Sequence, residues 1–121
     1  MKFLCLIYGD LKKLATLSKE EMAAMRKASA PRFEELDKSG ALFVPTSGLG
    51  SEYASIRPGA DAPTITDGPF VETKEQVGGL FILEAPDLKE AIRVASLHPA
   101  AHTGGVNAGI EVRPIVYWAG K

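Results

Sequence analysis

The sequence predicts an α+β fold in which helices cover one face of an antiparallel β-sheet. Three observations carry this prediction. Apolar runs of strand-forming residues recur along the chain, two helix-start signals stand between them, and clusters of Gly, Pro, Ser and Asp separate the segments. The resulting order is strand, helix, strand, short hairpin, strand, helix, strand. Two β-α-β units in this order predict a ferredoxin-like βαβ-βαβ sandwich with an inserted hairpin.

The first β-α unit begins with an unbroken apolar run at residues 2–8, which predicts a buried strand, and a loop follows to Leu17. Ser18 and Glu21 form a capping box that starts a helix running to about Ser39. Gly40 then suits the left-handed position after a helix. Five residues fall on one face of this helix: Met22, Met25, Ser29, Phe33 and Leu36. Pro31, inside the same span, predicts a kink.

The rest of the chain gives five further strands and one helix. The predicted strands are residues 41–45, 53–57, 64–66, 79–83 and the final strand 110–115, with the second and third forming the hairpin. A second capping box at Asp87 and Glu90 starts the second helix, which Pro99 ends. The stripe predicted to face the core consists of Leu88, Ala91, Ile92 and Ala95, extended by His98.

Two of the predicted strands lack a water-facing side. Residues 3–7 and 80–83 are apolar throughout, whereas an antiparallel sheet with one wet face alternates apolar and polar residues. The chain has no spare element to cover the second face. We therefore expect a homodimer that buries sheet against sheet across a two-fold axis.

Composition limits the classes of function. The 121 residues suit one domain over 1–121, and 14 basic against 15 acidic residues leave a net charge of −1. This balance gives no basic face for nucleic acid and no polybasic patch for a membrane. Cys5 is the lone cysteine and is predicted to be a core residue. The first apolar run is too short for a signal peptide or a membrane span, so a cytoplasmic location is expected.

A longer motif resembles the DGPF group of the YCII-related family. It is the fourteen-residue segment Thr66-Asp67-Gly68-Pro69-Phe70-Val71-Glu72-Thr73-Lys74-Glu75-Gln76-Val77-Gly78-Gly79. Residues 84–91, His98-Pro99 and 111–114 continue the similarity, and the N-terminal half is similar more loosely. The resemblance implies a ferredoxin-like fold and a dimeric α/β barrel. Most of the family has no assigned activity, and dimeric-barrel relatives include muconolactone isomerase, small monooxygenases and a dehydrochlorinase, which suggest small ring-cleavage products as substrates.

The same resemblance indicates where chemistry would be placed. Short YCII proteins carry a His on the first helix and an Asp-Pro after the second, proposed as a catalytic pair. These positions fall on Ser29 and on His98-Pro99 in this sequence, so the pair is not preserved in kind.

Three residues are candidates for catalysis. Asp67 ends a strand at the Gly68-Pro69 turn, where it either faces a cleft as a base or bonds the turn's own backbone. His98 is either a proton carrier, partnered by Asp67 or Ser29, or a polar helix terminator. Ser29 lies on the inner helix face, where a mid-helix Ser more often bonds the preceding turn than acts as a nucleophile.

Charged residues supply candidates for ligand binding. Arg113 could clamp a ligand carboxylate or pair with a Glu across the dimer. Glu72 and Lys74 either form an ion network or contact a ligand. His98 and His102 have no third partner nearby in the sequence, so neither a metal nor another cofactor is expected.

Three functions remain open at this point. The first is a cofactor-independent lyase or isomerase that acts on a small carboxylate-bearing metabolite by Asp/His proton transfer. The second is a non-catalytic ligand-binding or regulatory dimer, associated with transcription control, and the third is a purely structural dimer module. A cavity holding two titratable groups within about 3 Å of each other would favour the enzyme, and a cavity without such a pair would favour the binding protein.

Overall fold

The computed structural model of the protein describes residues 1–71 and 73–120, and it has an α+β fold with antiparallel sheets. A four-stranded sheet has the order β2-β5-β1-β6, and β3 pairs with β4 in a separate hairpin. The strands are β1 (Lys2–Gly9), β2 (Leu42–Gly48), β3 (Ala54–Arg57), β4 (Thr64–Asp67), β5 (Gln76–Glu84) and β6 (Asn107–Pro114). The helices are α1 (Leu11–Ala15), α2 (Lys19–Lys38) and α3 (Leu88–Ala95), and a 3-10 turn spans Pro99–Ala101.

The two β-α-β units are interleaved, which places the most apolar strands at the centre of the sheet. Strand β1 pairs antiparallel with β5 on one side and β6 on the other. Strand β2 completes the sheet beyond β5. The predicted antiparallel sheet is therefore confirmed, with the inserted hairpin outside it.

One face of this sheet carries the core. Phe3 and Cys5 of β1 and Phe81 and Leu83 of β5 are fully buried there. Helix α2 contributes Leu36 to the same cluster, and α3 contributes the three residues Ala91, Val94 and Ala95. Both long helices thus pack on one face of the sheet. The prediction that Cys5 is a core residue is confirmed, and burial raises the pKa of its thiol to about 12.

The opposite face, which we call the open face, is covered by none of the helices that the structure describes. Strand residues alternate between faces, so Leu4, Leu6 and Tyr8 of β1 point away from the core. Leu80 and Ile82 of β5 pair with Leu6 and Leu4 and lie on the same side. These apolar side chains are only half-buried in a single chain.

Helix α2 follows the sequence prediction closely. Ser18 accepts a hydrogen bond from the backbone of Glu21 at 3.0 Å, and the Glu21 carboxylate accepts one from the backbone of Ser18 at 3.0 Å. Gly40 follows the helix with φ of 71°, a conformation that suits glycine. The five predicted inward-facing residues are, together with Arg32, the less exposed ones in this helix, and the helix continues through Pro31. No membrane-crossing helix occurs in either described range, since none is long and apolar enough.

Two details of α3 correct the sequence prediction. Its buried stripe is Ala91, Val94 and Ala95, whereas Leu88 and Ile92 are about half exposed. Small residues face the sheet because α3 lies close to it, and the larger side chains lie at its edge against β6. The helix also ends at Ala95, before Pro99. The N–H groups of Leu97 and His98 donate to the carbonyls of Val94 and Ala95 at 3.0 Å, a tighter turn than the α-helix, and His98 is extended because it precedes a proline.

Candidate functional site

A cavity of about 220 Å³ lies between α2 and the core face of the sheet, and we call it the helix-side cavity. Its walls are largely apolar. The main side chains come from β1 (Ile7), α1 (Leu11, Leu14) and α2 (Met25, Phe33), and Val106 lies just before β6. Ser29 and His98, two of the three candidate catalytic residues, line this same cavity.

His98 is held rigidly in the wall of the helix-side cavity. Its side chain is only 4% exposed. The imidazole stacks on Phe81 with ring centroids 4.9 Å apart and meets Phe33 edge-on at 5.1 Å. Its Nδ1 accepts a hydrogen bond from the backbone N–H of Ala100 at 3.0 Å, which caps the 3-10 turn. His98 therefore caps a turn that follows α3, and it does not lie at the C-terminus of a helix as expected.

Burial decides the protonation of His98. Loss of contact with water lowers the pKa of the imidazole to about 4, so the ring is neutral at pH 7. Because Nδ1 is the acceptor, the single proton of the neutral ring lies on Nε2. Nε2 is buried and has no hydrogen-bond partner among residues 1–71 and 73–120. His98, which lines the cavity, thus carries an unused donor, and the ring or the wall would have to shift for a ligand to reach that nitrogen.

Helix α2 supplies two further polar residues of the helix-side cavity, and Asn107 of β6 also lines it, with its Nδ2 donating to the carbonyl of Thr103 at 3.1 Å. Ser29 is half-buried on its inner face, and Arg26, one turn earlier, is exposed at the cavity edge. Within the described residues Arg26 forms no ion pair. The cavity therefore combines apolar walls, a hydroxyl, a neutral imidazole and a free guanidinium. No carboxylate occurs among its described lining residues.

Part of the cavity wall exists because Gly78 has no side chain. Gly78 is the extra residue of a β-bulge, since Ile7 pairs with Gly79 and Tyr8 pairs with Val77. A Cβ atom at position 78 would lie 2.9 Å from Cδ2 of Leu11. The absence of that atom lets Leu11 of α1 pack at the edge of the cavity.

Asp67, the third candidate, lies elsewhere. It ends β4 on the hairpin, is exposed, and does not line the helix-side cavity. Its carboxylate accepts no hydrogen bond from any residue that the structure describes. The turn after it is held instead by the Ser55 hydroxyl, which donates to the carbonyl of Gly68 at 2.6 Å, and by the Gly68 N–H, which donates to the carbonyl of Tyr53 at 2.9 Å. The expected partnership between Asp67 and His98 does not occur within one chain.

The predicted ligand-binding residues are also outside this cavity. Arg113 lies on the open face, where its Nη1 is 3.7 Å from Oε1 of Glu111 in the same strand. Tyr8 donates from its hydroxyl to Oε2 of Glu111 at 3.3 Å. Lys74 is exposed beside Lys12 in a surface depression. Glu72 lies outside the described residues.

Sequence reasoning missed Arg26 and the short helix α1. The signal for Arg26 was available, because it lies three residues before Ser29 and seven before Phe33 on the same helix. Helix α1 has five residues and is capped by Asp10, whose carboxylate accepts a hydrogen bond from the N–H of Lys13 at 3.1 Å. In the two described ranges, no three His, Cys, Asp or Glu side chains lie close enough together to hold a metal ion.

Comparison with known proteins gives a family but no reaction. A family model described as "YCII-related domain" matches residues 1–119. A protein of Rhizobium meliloti (strain 1021), described as uncharacterized, is 32% identical over 123 residues, which cover 98% of this chain and 94% of the relative.

Proposed function

The chain belongs to the YCII-related domain family, and on that premise we propose that it is a homodimeric binding protein for a small carboxylate-bearing molecule held in the helix-side cavity. The observation that carries the proposal is His98. Its neutral imidazole lines a largely apolar cavity, and the Nε2–H of that ring is buried without a partner among the described residues. Buried polar groups normally have partners, so an unpaired donor at this place supports an acceptor supplied by a ligand.

The volume of the cavity limits the ligand to about one ring. A cavity of about 150 Å³ holds benzene, and 220 Å³ leaves additional space for a small substituent. The apolar walls favour a hydrocarbon body. The proposed ligand is therefore a single-ring or comparably small molecule with one polar end.

The charge of that polar end follows from Arg26. Its guanidinium is the charged group lining the described part of the cavity, and it has no carboxylate partner there. A guanidinium recognises a carboxylate through paired hydrogen bonds. This arrangement supports Arg26 as the charge anchor in place of Arg113, Lys74 and Glu72.

Benzoate and benzyl alcohol are suitable probes, because they share a ring and differ in charge. Titration of the ¹⁵N-labelled protein with each, followed by NMR, should shift the amides of Ser29, His98 and Ala100 in a saturable way. Arg26→Gln should weaken benzoate binding about tenfold and leave benzyl alcohol binding unchanged, because only the anion uses the guanidinium.

Lys27→Gln is the matched control, since Lys27 is exposed on the same helix and does not line the cavity. If Lys27→Gln weakens benzoate as much as Arg26→Gln, the effect is one of net charge and the anchor is wrong. Absence of saturable shifts with both probes at millimolar concentration would end the binding proposal.

Catalysis is the second candidate, and the shared location of Ser29 and His98 favours it. A neutral imidazole donating from Nε2 would polarise a ligand carbonyl and favour removal of a neighbouring proton, as in a lyase or isomerase. Asp67 would have to come from another subunit to take part. Pyruvate in D₂O tests this role, because an active protein would exchange its methyl hydrogens faster than buffer does. Equal rates of methyl hydrogen exchange with and without protein would rule out this catalysis, and only the binding function would remain.

The homodimer forms part of the same proposal, as a ferredoxin-like dimeric α/β barrel. The open face supports the proposed homodimer. Four apolar residues lie there that no helix in the described residues covers: Leu4, Leu6, Leu80 and Ile82. Burying them against a second copy removes a continuous apolar surface from water. Light scattering after size exclusion should give twice the chain mass at micromolar concentration. A monomer of full stability would contradict it.

A further inference from the structure

Two apolar features are left uncovered by residues 1–71 and 73–120. The first consists of Val116 and Tyr117 in the segment Val116–Trp118, which follows β6. Val116 is 91% exposed and Tyr117 is 81% exposed, which is unusual for large apolar side chains in adjacent positions. Trp118 anchors this segment to the open face, because its ring meets Phe43 edge-on at 5.5 Å and Lys2 lies over both rings.

The second feature is a cavity of about 740 Å³, which we call the open-face cavity. Its floor includes Tyr8 and Val77, which pair in the sheet, and its walls include Tyr53 of the hairpin and Phe70 and Val71 of the following loop. Phe70 is 60% exposed and Val71 is 67% exposed. The wall is fixed in place.

The fixation comes from the hairpin. Arg57 lies 4.6 Å from the ring centroid of Phe70 and donates from Nη2 to its carbonyl at 3.4 Å. Tyr53 donates from its hydroxyl to Oε1 of Gln76 at 2.6 Å. A preformed apolar concavity beside an apolar sheet face is suited to receive apolar side chains.

The two features lie at opposite ends of the same face. Val116–Trp118 is next to Lys2, where β1 begins, because the N–H of Ile115 donates to the carbonyl of Lys2 at 2.9 Å. The open-face cavity is next to Tyr8, where β1 ends. Six residues of strand separate Lys2 from Tyr8, which is about 20 Å. Within one chain the segment therefore cannot fill the cavity.

A two-fold axis can bring them together. Suppose that two copies pack by their open faces around a two-fold axis that runs across the strands. The two β1 strands then run in opposite directions, and the beginning of the partner's β1 lies over the end of the first copy's β1. We propose that Val116 and Tyr117 of each subunit occupy the partner's open-face cavity, so that the cavity is complete only in the dimer. The contact is made twice, as two-fold symmetry requires. This inference rests on the proposed face-to-face dimer and specifies its axis and its contacts.

Chemical cross-linking tests the geometry. The double variant Val71→Cys/Tyr117→Cys, treated with a short bismaleimide, should give a covalent dimer on denaturing gels, because position 71 of one subunit lies beside position 117 of the other. Cys5 is fully buried and does not compete. The single variants Val71→Cys and Tyr117→Cys show whether position 71 or position 117 can be cross-linked to the same position of the partner subunit. Lys27→Cys/Tyr117→Cys is the matched control, since Lys27 is exposed on α2 away from the open face.

Sedimentation equilibrium tests the energetics. Val116→Ser/Tyr117→Ser removes apolar surface that is exposed in a single chain, so folding should be unaffected and the dimer dissociation constant should rise at least tenfold. This inference is overturned if the parent dimerises but the double cysteine variant gives no cross-link between positions 71 and 117 and the serine variant keeps the parent's dissociation constant. In that case the dimer itself still stands. A monomeric parent overturns the proposed dimer itself.

Discussion

Lowering the pH from 7 to 5 tests the burial of His98 through the stability of the protein. The imidazole has a pKa of about 4 in the folded chain, against 6.5 when it is exposed. The unfolded chain therefore binds a proton between these values that the folded chain does not bind. Stability from this group is complete above about pH 6.5 and is lost as the pH falls toward 4.

The magnitude follows from the two pKa values. Between pH 7 and pH 5 the free energy of unfolding should fall by about 2 kcal/mol from His98 alone. Most carboxylates titrate below this window, so their contribution is small. Urea unfolding followed by far-UV circular dichroism, at fixed protein concentration and at several pH values, measures the change.

Two variants make the assignment specific. His98→Phe keeps a ring between Phe33 and Phe81 but cannot titrate, so its stability should be nearly constant over the same window. It should also be less stable at pH 7 by about 1–3 kcal/mol, because the N–H of Ala100 loses its acceptor. His102→Gln changes the other, exposed histidine and should keep the parent's pH dependence. If His98→Phe retains the parent's slope, the titrating group is not His98 and its burial has been misjudged.

Three further predictions concern the core and the helix ends. Leu36→Ala, which empties a fully buried site under α2, should cost about 2–5 kcal/mol of unfolding free energy in urea. A loss below 1 kcal/mol would mean that Leu36 is not in the core. Gly40→Ala should cost about 1 kcal/mol because φ is 71° there, whereas Gly50→Ala, at a glycine without positive φ, should cost less. Cys5 should stay unreactive toward Ellman's reagent at pH 8 while the protein is folded and react on unfolding, since burial raises the pKa of its thiol to about 12. Rapid labelling of the native protein would contradict this.

The sequence predicted those parts of the fold that depend on local signals. The capping box at Ser18 and the glycine at position 40 bound α2 because each satisfies backbone groups within a few residues. Helix α1 carries one local signal, the Asp10 cap, but its five residues are too few for an apolar period that would have predicted it. Strand β5 begins at Gln76, three residues before the predicted strand 79–83, because pairing with β1 extends it past Gly78.

The candidate site was predicted in part, and the limit was long-range geometry. Ser29 and His98 line one cavity, but only Ser29 does so from the inward-facing helix position that spacing predicts, whereas His98 lines it from the turn after α3. Whether Asp67 reaches them depends on where the hairpin packs, and local pattern does not encode that. The buried stripe of α3 differs from the predicted one for a similar reason. The sequence analysis placed the large apolar residues Leu88 and Ile92 in the core, whereas the close approach of α3 to the sheet requires the small alanines there.

The bulge at Gly78 has a consequence for how this scaffold diversifies. The edge of the helix-side cavity is set by a strand position that carries no side chain and faces the tip of Leu11. Adding a methyl group at that position would displace a flexible side chain and would leave the hydrogen-bonded ladder intact. Molecules of different size could therefore be selected by exchanging one small residue, so relatives with the same architecture can differ in what they accept without rebuilding the sheet.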